Sequence, residues 1–311
     1  MRTFTTWTGL SDADRGATAA IGNFDGVHIG HQSVINLARN AVQNAPLGVV
    51  TFEPHPREVF APTTAPFRLM SAETKAHRLA KLGVDCLYQL EFTDKLFSLT
   101  PEQFARQVIH DGLGLVHVVV GGDFRFGKGR AGSTVDLQSF GQQMGFGVTI
   151  ADLIEQDGAE VSSTSIRTAL TQGRPRDAAA MLGHWHRIDG AVLHGEKRGR
   201  DLGYPTANMS IAGLHPPKFG VYAVKVDVLT GKHTGAYNGA ASIGVRPMFG
   251  GDVANLESYL FDFSGDLYGE DLSVALVDYL RPEMKFDDIK GLTHQMNADC
   301  ARARAILTDI P

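Results

Sequence analysis

The 311-residue sequence predicts an α/β protein with two parts, a parallel sheet flanked by helices and then an antiparallel β-barrel followed by a C-terminal helix. In residues 17–151, short apolar runs alternate with helical patterns, which is typical of βαβ units. From Arg187 to Leu280, β-like runs are separated by glycines, which favours an antiparallel barrel. The pattern breaks at Gly173-Arg174-Pro175, and we expect domains at 1–183 and 184–311.

The first part is expected to contain five buried strands connected by helices. Apolar runs place the strands at Ala17 to Ile21, Leu47 to Phe52, Val84 to Leu90, Val116 to Val120 and Gly147 to Ala151. Helical spacing places helices at His31 to Asn44, Ala72 to Leu82, Pro101 to Asp111 and Ser133 to Met144. The third helix has a clear start, because Thr100 can cap it, Pro101 suits its first turn and Gln103 completes a capping box.

The second part is expected to form the barrel and the final helix. Its strands are predicted at Asp189 to Leu193, Gly220 to Leu229, Gly239 to Ile243, Leu256 to Phe263 and Leu272 to Tyr279. A helix is predicted from Asp287, because apolar residues recur on one face from Ile289 to Leu307.

The composition excludes several classes of function. A formal net charge of -5 disfavours nucleic acid as a partner. The 2 cysteines, Cys86 and Cys300, indicate no disulfide framework and fit a reducing compartment. No apolar run reaches about 18 residues and the N-terminus lacks a secretion signal pattern, so we expect a cytoplasmic protein that does not enter the membrane.

The stretch Gly22-Asn23-Phe24-Asp25-Gly26-Val27-His28-Ile29-Gly30-His31 joins the first predicted strand to the first predicted helix. Such a turn binds anions, since unpaired backbone N–H groups and the helix dipole point to one spot. Gly26 and Gly30 allow the backbone to approach a phosphate closely. His28 and His31 flank this spot, and their N–H groups can stabilise the charge that grows when the α–β bond of ATP breaks.

Two other interpretations of these histidines are open. They can be ordinary residues of a βα turn, which is the more frequent role of a histidine pair taken alone. A zinc site fits less well, because the sequence nearby offers no cysteine or third ligand at metal spacing. The glycines and the turn context favour the phosphate interpretation.

Two further loops follow predicted strands and therefore belong to the ligand-binding edge of the sheet. Thr51-Phe52-Glu53-Pro54-His55-Pro56 contains two prolines, which are expected to exclude a continuing helix or strand. Gly121 to Arg130 nearly matches a P-loop, but Gly129 stands where a hydroxyl residue should follow Gly127-Lys128. We therefore reject a P-loop there, and its basic residues either attract phosphate or are solvated charges.

The segment Ser162-Ser163-Thr164-Ser165-Ile166-Arg167 begins another predicted helix. Hydroxyl residues at a helix start are usually caps. Four in succession, followed by an arginine, exceed what capping requires. The segment therefore indicates a second phosphate-binding element.

The barrel part contains a second candidate site. The stretch from Gly195 to Asn208 is basic and glycine-rich, which is typical of a flap over phosphates, although a solvated turn is the plainer alternative. Pro205 forces an extended backbone, so that Thr206 and Asn208 share one face and offer two oxygen ligands to Mg²⁺.

Glu257 is the third candidate in this part. Strand alternation aligns it with Tyr259, Phe261 and Phe263, and a carboxylate on an apolar face is costly unless it has a partner or a task. It is either a general base that accepts a proton from an alcohol or the structural partner of an arginine.

With these segments in hand, the chain resembles the prokaryotic bifunctional riboflavin kinase/FMN adenylyltransferases, also called bifunctional FAD synthetases, over nearly its whole length. The segments that carry the resemblance occur in the family's order: Gly22 to His31, Gly122 to Gly127, Ser162 to Arg167, Gly203 to Asn208, Gly244 to Pro247 and Asp266 to Gly269. The resemblance implies a Rossmann-like nucleotidyltransferase domain, which makes FAD and pyrophosphate from FMN and ATP. It also implies a β-barrel riboflavin kinase domain, which makes FMN from riboflavin with ATP and Mg²⁺.

The resemblance further implies roles for individual residues. In the first domain it implies catalytic His28 and His31, phosphate contacts for Asn23, Gly26, Gly30, Ser163, Thr164 and Arg167, and flavin contacts for Asp123 and Phe124. In the second it implies Glu257 as catalytic base, Thr206 and Asn208 as metal ligands, ATP contacts for Gly195, Lys197, Gly203, Thr206 and Asn208, and a flavin contact for Arg281. Riboflavin, FMN, FAD and ATP are the implied partners, and the oligomeric state is left open.

The sequence departs from the family pattern at few positions. Met248 replaces a usual threonine, Ser242 replaces a frequent asparagine, and Ser258-Tyr259 replaces a Val-His pair. These departures concern details of the flavin loop.

Two alternatives of other classes are weighed against this resemblance. His28-Ile29-Gly30-His31 is also a signature of class I aminoacyl-tRNA synthetases, but the lysine-rich loop of that class is missing. A non-catalytic flavin carrier is the other, and the intact histidine, threonine, asparagine and glutamate positions argue against it.

Overall fold

The five apolar runs of the N-terminal half and one short strand that was not predicted, Arg2–Phe4, form a six-stranded parallel sheet in the computed structural model of the chain. The strands are β1 (Arg2–Phe4), β2 (Thr18–Ile21), β3 (Leu47–Glu53), β4 (Cys86–Glu91), β5 (His117–Gly121) and β6 (Gly147–Ala151). Their order across the sheet is β1-β4-β3-β2-β5-β6, so the direction of winding reverses between β2 and β5. Ligands of such sheets bind outside the carboxyl ends of the strands at this reversal.

The helices of this half connect the parallel strands. They are α1 (Ile29–Ala41), α2 (Pro56–Phe60), α3 (Ala72–Lys81), α4 (Asp94–Phe97), α5 (Pro101–Gln103), which continues as a π-helix over Phe104–His110, and α6 (Thr134–Met144). The capping box predicted at Thr100 and Gln103 is confirmed, with the Gln103 N–H donating to Thr100 Oγ1 at 3.2 Å. Helix α2 contradicts the expectation of no helix after the two prolines, because Pro56 occupies its first turn, where a missing N–H costs nothing.

The C-terminal half forms a six-stranded antiparallel sheet, as expected. Along the chain, β7 (Glu155–Gln156) and β8 (Ala159–Glu160) follow β6 and form a small hairpin. The strands of the second sheet are β9 (His186–Ala191), β10 (Ala207–Ser210), β11 (Gly220–Val228), β12 (Gly235–Met248), β13 (Gly251–Leu260) and β14 (Asp271–Arg281), in the order β10-β13-β12-β11-β14-β9. The N–H of Leu193, just after β9, donates to the carbonyl of Asn208 in β10 at 2.8 Å and closes the barrel.

The barrel has an apolar interior and an apolar outer face. Val224, Ile243 and Leu256 are among the interior residues with no measurable exposure. Helix α9 (Ile289–Thr308) covers the outer face, where Ala303 and Leu307 pack against Phe261. Across the described residues, no helix combines the length and the apolarity needed to cross a lipid bilayer.

The structure describes residues 1–152, 155–156, 159–194, 203–248 and 251–310, without the side chains of 155–156, 159–160, 246–248 and 251–253. Contacts divide the chain into Met1–Thr64 with Ala72–Val161, and Ala65–Ser71 with Ser162–Pro311. The second unit thus also contains α7 (Ser163–Thr171) and α8 (Pro175–Leu182), which share an apolar cluster with Leu69. The boundary after Gly183, which we expect from the sequence, stays a prediction.

We predict that residues 184–311 fold without the rest of the chain. Both apolar clusters of the barrel, its interior and the face under α9, lie wholly within this fragment, whereas the cluster around Leu69 and α7 lies outside it. The fragment should therefore show β-rich circular dichroism and a cooperative melt. The same fragment with Val224→Asp is the control that should not fold, because it places a carboxylate in the interior. An unfolded wild-type fragment, obtained from several start points near residue 184, would contradict the boundary.

Candidate active sites

A tight turn joins β2 to α1 and carries the two predicted histidines. Phe24, Gly26 and Val27 have positive φ angles of 52°, 88° and 45°, and two of these residues carry side chains. Such conformations are costly and persist where the surroundings over-determine them. The Gln32 side chain supports the turn by donating to the Val27 carbonyl at 2.9 Å.

His28 caps the N-terminus of α1 with its ring. Its Nδ1 accepts a hydrogen bond from the backbone N–H of His31 at 3.3 Å. A neutral imidazole that accepts at Nδ1 carries its proton on Nε2. Although His28 is 7% exposed, it therefore keeps Nε2–H as a hydrogen-bond donor.

The two imidazoles lie face to face, with ring centroids 3.6 Å apart and planes inclined by 20°. Burial of the His31 ring, together with its proximity to the His28 ring and to the Lys75 ammonium, holds the pKa of His31 well below its usual value of 6.5. Among the described residues, His31 Nδ1 is a buried atom without a hydrogen-bond partner. The pair is therefore suited to donating hydrogen bonds to an anion from neutral rings.

The glycines of this turn meet requirements of the turn itself. Gly26 has a left-handed φ of 88°. A β-carbon on Gly30 would lie 3.1 Å from Nδ1 of His28, so the glycine makes room for the capping ring. The phosphate contacts predicted for Gly26 and Gly30 stay predictions.

A buried ammonium contacts the turn, at a residue that was not predicted from the sequence. Lys75, on α3, is 4% exposed. Its Nζ donates to Glu53 Oε1 at 2.8 Å, to Thr51 Oγ1 at 3.1 Å and to the carbonyl of Asn23 at 3.3 Å. A lysine on the buried face of an amphipathic helix, in line with Leu79, was the available signal.

The loop after β5 leaves the same edge of the sheet as the histidine turn, because β2 and β5 are parallel neighbours. Asp123 is exposed, and the ring of Phe124 stacks on Phe126 with centroids 5.6 Å apart. The glycine-rich loop continues into a short 3₁₀ segment, Lys128–Arg130, and not into the helix that follows a P-loop.

In the second unit, α7 begins as predicted. Ser162 is its N-cap, with Oγ accepting from the N–H of Ser165 at 3.2 Å, and Ser163 and Thr164 form the first turn. The Nε of Arg167 donates to the carbonyl of Phe67 at 2.5 Å, and the guanidinium lies 5.4 Å from the Phe67 ring centroid. The structure therefore gives the arginine local partners beside its predicted phosphate role.

In the barrel, the strand register places three residues named in the sequence analysis in one row across adjacent strands. Asn208 of β10 is paired with Glu257 of β13, and Glu257 is paired with Ser242 of β12. Directly paired residues of antiparallel strands have β-carbons about 4.5–5.5 Å apart on one face. The row is on the outer face, because the alternate residues Ala207 and Leu256 belong to the interior cluster.

The amide of Asn208 is held in place from two sides. Its Nδ2 donates to the carbonyl of Thr206 at 3.3 Å, and its Oδ1 accepts from Asn255 Nδ2 at 3.3 Å. Oδ1 retains a second lone pair, which could serve a cation. Gly203 has a left-handed φ of 83° and open space around it. Gly195 and Lys197 lie outside the described residues.

Glu257 is half-buried, and its predicted neighbours are partly wrong. Tyr259 and Phe261 lie on the outer face under α9. Phe263 packs with the interior cluster instead, because β13 ends at Leu260 and Asp262 turns the chain with a φ of 57°. Alternation therefore does not extend to Phe263.

Arg281, for which a flavin contact is predicted, pairs with a buried carboxylate. Its Nε and Nη2 donate to Asp299 Oδ2 at 2.9 and 2.7 Å, and Gln295 also donates to Asp299. The flavin contact stays a prediction, and the observed partner of Arg281 is α9.

Family models match two consecutive parts of the chain. A FAD synthetase model matches residues 10–165, and a riboflavin kinase model matches residues 182–307. His28, His31, Ser163 and Thr164 lie in the first match, and Thr206, Asn208 and Glu257 lie in the second.

Curated relatives match almost the full length. The bifunctional riboflavin kinase/FMN adenylyltransferase of Pseudomonas fluorescens is 45% identical over 96% of this chain and 95% of its own. Relatives of the same description from Listeria monocytogenes and Escherichia coli K12 are each 38% identical, over 94% and 95% of this chain and 92% and 94% of their own.

The fold also has a solved counterpart. A crystal structure described as a macrolide-efflux protein from Streptococcus pneumoniae covers 97% of this chain and 98% of its own, with a TM-score of 0.83 and 30% identity. That description concerns the pneumococcal protein, and the likeness is one of fold. The family models and the curated relatives agree over both halves, and the chain belongs to the bifunctional riboflavin kinase/FMN adenylyltransferase family.

Proposed function

We propose that this chain phosphorylates riboflavin to FMN with ATP and then transfers AMP from a second ATP to FMN, giving FAD and pyrophosphate. The observation that carries the proposal is the match of two family models to consecutive parts of the chain, each of which contains one candidate site. We also propose a cytoplasmic location, in keeping with the free thiols of Cys86 and Cys300.

In the adenylyl transfer, a phosphate oxygen of FMN attacks the α-phosphorus of ATP, and the bond to the β-phosphate breaks. Negative charge develops on the leaving pyrophosphate, and preorganised N–H donors stabilise it. His28 Nε2–H and the neutral ring of His31 are the donors that we assign to this charge. The remaining proposed contacts are Asn23, Gly26, Gly30, Ser163, Thr164 and Arg167 for phosphate, and Asp123 and Phe124 for flavin.

In the kinase reaction, the 5′-hydroxyl of riboflavin attacks the γ-phosphorus of ATP and must lose its proton, while the bond from the γ-phosphorus to the β–γ bridging oxygen breaks and ADP leaves. Glu257 is the base that we assign, beside Asn208 in the strand register. Thr206 and Asn208 supply the hard oxygen donors that Mg²⁺ prefers, and the second lone pair of Asn208 Oδ1 fits this role. Bound Mg²⁺ would neutralise charge on the ATP phosphates. Gly195, Lys197 and Gly203 are the further ATP contacts that we propose, and Arg281 is the flavin contact.

We predict that the purified chain converts riboflavin to FMN and FAD when supplied with Mg²⁺ and ATP. Products are separated by chromatography and detected by flavin fluorescence. FMN without FAD, also when FMN is the substrate, would contradict the adenylyltransferase activity. A chain that binds flavin but forms neither product would be a carrier, and ATP–pyrophosphate exchange that depends on an amino acid would indicate the synthetase alternative.

We predict that His28→Ala combined with His31→Ala lowers FAD formation from FMN by at least about 100-fold, because two transition-state donors are removed. Riboflavin phosphorylation in the same preparation should be unchanged. The matched control combines His77→Ala with His110→Ala, two exposed histidines of the first unit, and should retain both activities. Parallel loss of both activities in a folded protein would contradict separate sites.

We predict that Glu257→Gln lowers riboflavin phosphorylation by about 10²–10⁴-fold, the usual range for a general base. ATP binding should persist, because phosphoryl transfer depends on positioning and charge neutralisation more than on the base. FAD formation from added FMN should stay near the wild-type rate. Glu102→Gln, at a glutamate whose side chain is 59% exposed, is the control. If Glu257→Gln only lowers the melting temperature, Glu257 is a structural partner and not the base.

A further inference from the structure

Lys75 has no part in the chemistry described above, yet all the hydrogen-bonding capacity of its buried ammonium is used. An ammonium has three N–H donors, and each has an acceptor here: Glu53 Oε1, Thr51 Oγ1 and the carbonyl of Asn23, at 2.8, 3.1 and 3.3 Å. The Lys75 side chain is 6% exposed, and that of Glu53 is 16% exposed. Burial of two charges costs about as much free energy as their attraction returns, so such pairs are poor stabilisers. A role other than stability therefore has to be sought.

The three acceptors lie in two segments. Thr51 and Glu53 belong to β3, a strand of the central sheet, whereas Asn23 belongs to the histidine turn. Thr51 Oγ1 also donates to the Asn23 carbonyl, at 3.1 Å, so this carbonyl receives two hydrogen bonds from below. The Asn23 residue itself is exposed, and only its backbone oxygen is held inside. Lys75 thus ties the turn to the rigid sheet.

The Asn23 carbonyl lies at the start of the segment that contains the positive φ angles. It belongs to the peptide unit that joins Asn23 to Phe24, and Phe24 is the first residue of the turn with a positive φ, 52°. Rotation of this peptide unit would change the path of the chain through Val27 to His28. The hydrogen bonds to Asn23 therefore set the position of the capping imidazole and, through it, of the stacked ring of His31.

We propose that Lys75 is a positioning residue of the adenylyltransferase site, whose ammonium, anchored by Glu53 and Thr51, fixes the Asn23 carbonyl and thereby the presentation of His28 and His31 to ATP. This inference rests on the proposed synthesis of FAD at this turn. The charge of Lys75 also acts on His31 directly. Together with burial and the nearby His28 ring, it lowers the pKa of His31 and so keeps that ring neutral.

The test compares two variants with the full-length wild-type chain. Lys75→Met removes the ammonium at nearly constant volume and leaves the Glu53 carboxylate buried. Lys75→Met combined with Glu53→Met removes both charges of the pair, so that the Glu53 carboxylate is not left buried without the Lys75 ammonium. Lys81→Met, the same substitution at an exposed residue of the same helix, is the matched control. Each protein is assayed well below its own Tm, for kcat and KM of FAD formation, for riboflavin phosphorylation and for Tm.

We expect both variants to lose about 10–100-fold in kcat for FAD formation, because displaced catalytic groups of this kind cost about two orders of magnitude. The KM for ATP should change much less, since the lost interactions are made in the transition state. Riboflavin phosphorylation should stay at the wild-type level. The double variant should regain Tm relative to Lys75→Met without regaining kcat.

A merely structural ion pair gives a different pattern. If kcat recovers together with Tm in the double variant, or if either variant keeps FAD formation within about twofold of wild type, the inference is overturned. A wild-type chain that forms no FAD would instead contradict the proposed function, and the two failures are thus distinguishable.

Discussion

Two hydrogen bonds converge on the carbonyl of Asn23, and in our proposal they are the constraint on which the histidine turn depends. They come from Lys75 and Thr51, and they hold the peptide unit just before the left-handed residue Phe24. A left-handed backbone at a residue with a side chain is strained, and strain persists only where the surroundings leave no alternative. The buried Lys75 ammonium disfavours any other orientation of this peptide unit, because rotation of the peptide would leave a buried N–H donor without its acceptor. The hydrogen bond from the buried Lys75 ammonium thus stabilises the unfavourable backbone conformation at Phe24.

In the barrel, strand register and not a strained turn positions the candidate residues. Asn208, Glu257 and Ser242 share a row because three neighbouring strands are in register, and no strained turn is involved. A shift of one residue in β13 would move Glu257 into the apolar interior and Leu256 onto the outer face, and the burial of Leu256 forbids it. The same packing that stabilises the barrel therefore places the carboxylate beside the amide. One unit depends on a buried charge and the other on the hydrophobic pattern.

This difference explains what could be predicted from the sequence. The parallel sheet, the barrel, the capping box at Thr100 and the shared face of Glu257 and Tyr259 follow from local periodicity and capping residues, which the sequence displays directly. The pairing of Glu257 with Asn208 and Ser242 was not predicted, because it depends on the register of separate strands. Helix α2 departs from the prediction because Pro56 lies in the first turn, where a proline does not break a helix. Lys75 was missed because its acceptors at Glu53 and Asn23 are 22 and 52 residues away, and only the folded sheet brings them together. The assignment of Phe263 failed because a turn at Asp262 ends the alternation.

Asn208 takes part in both the closure of the barrel and its candidate chemistry. Its main-chain carbonyl accepts the N–H of Leu193 at the seam between β9 and β10, while its side chain lies in the row with Glu257. Among the described residues this seam is formed by one isolated bridge, and a region with few contacts opens more easily than the rest of a barrel. If a cation at the Asn208 side chain binds the closed seam more tightly than the open one, the difference in its binding free energy is added to that of closure. Occupancy of the cation site and closure of the seam between β9 and β10 would then be coupled through Asn208.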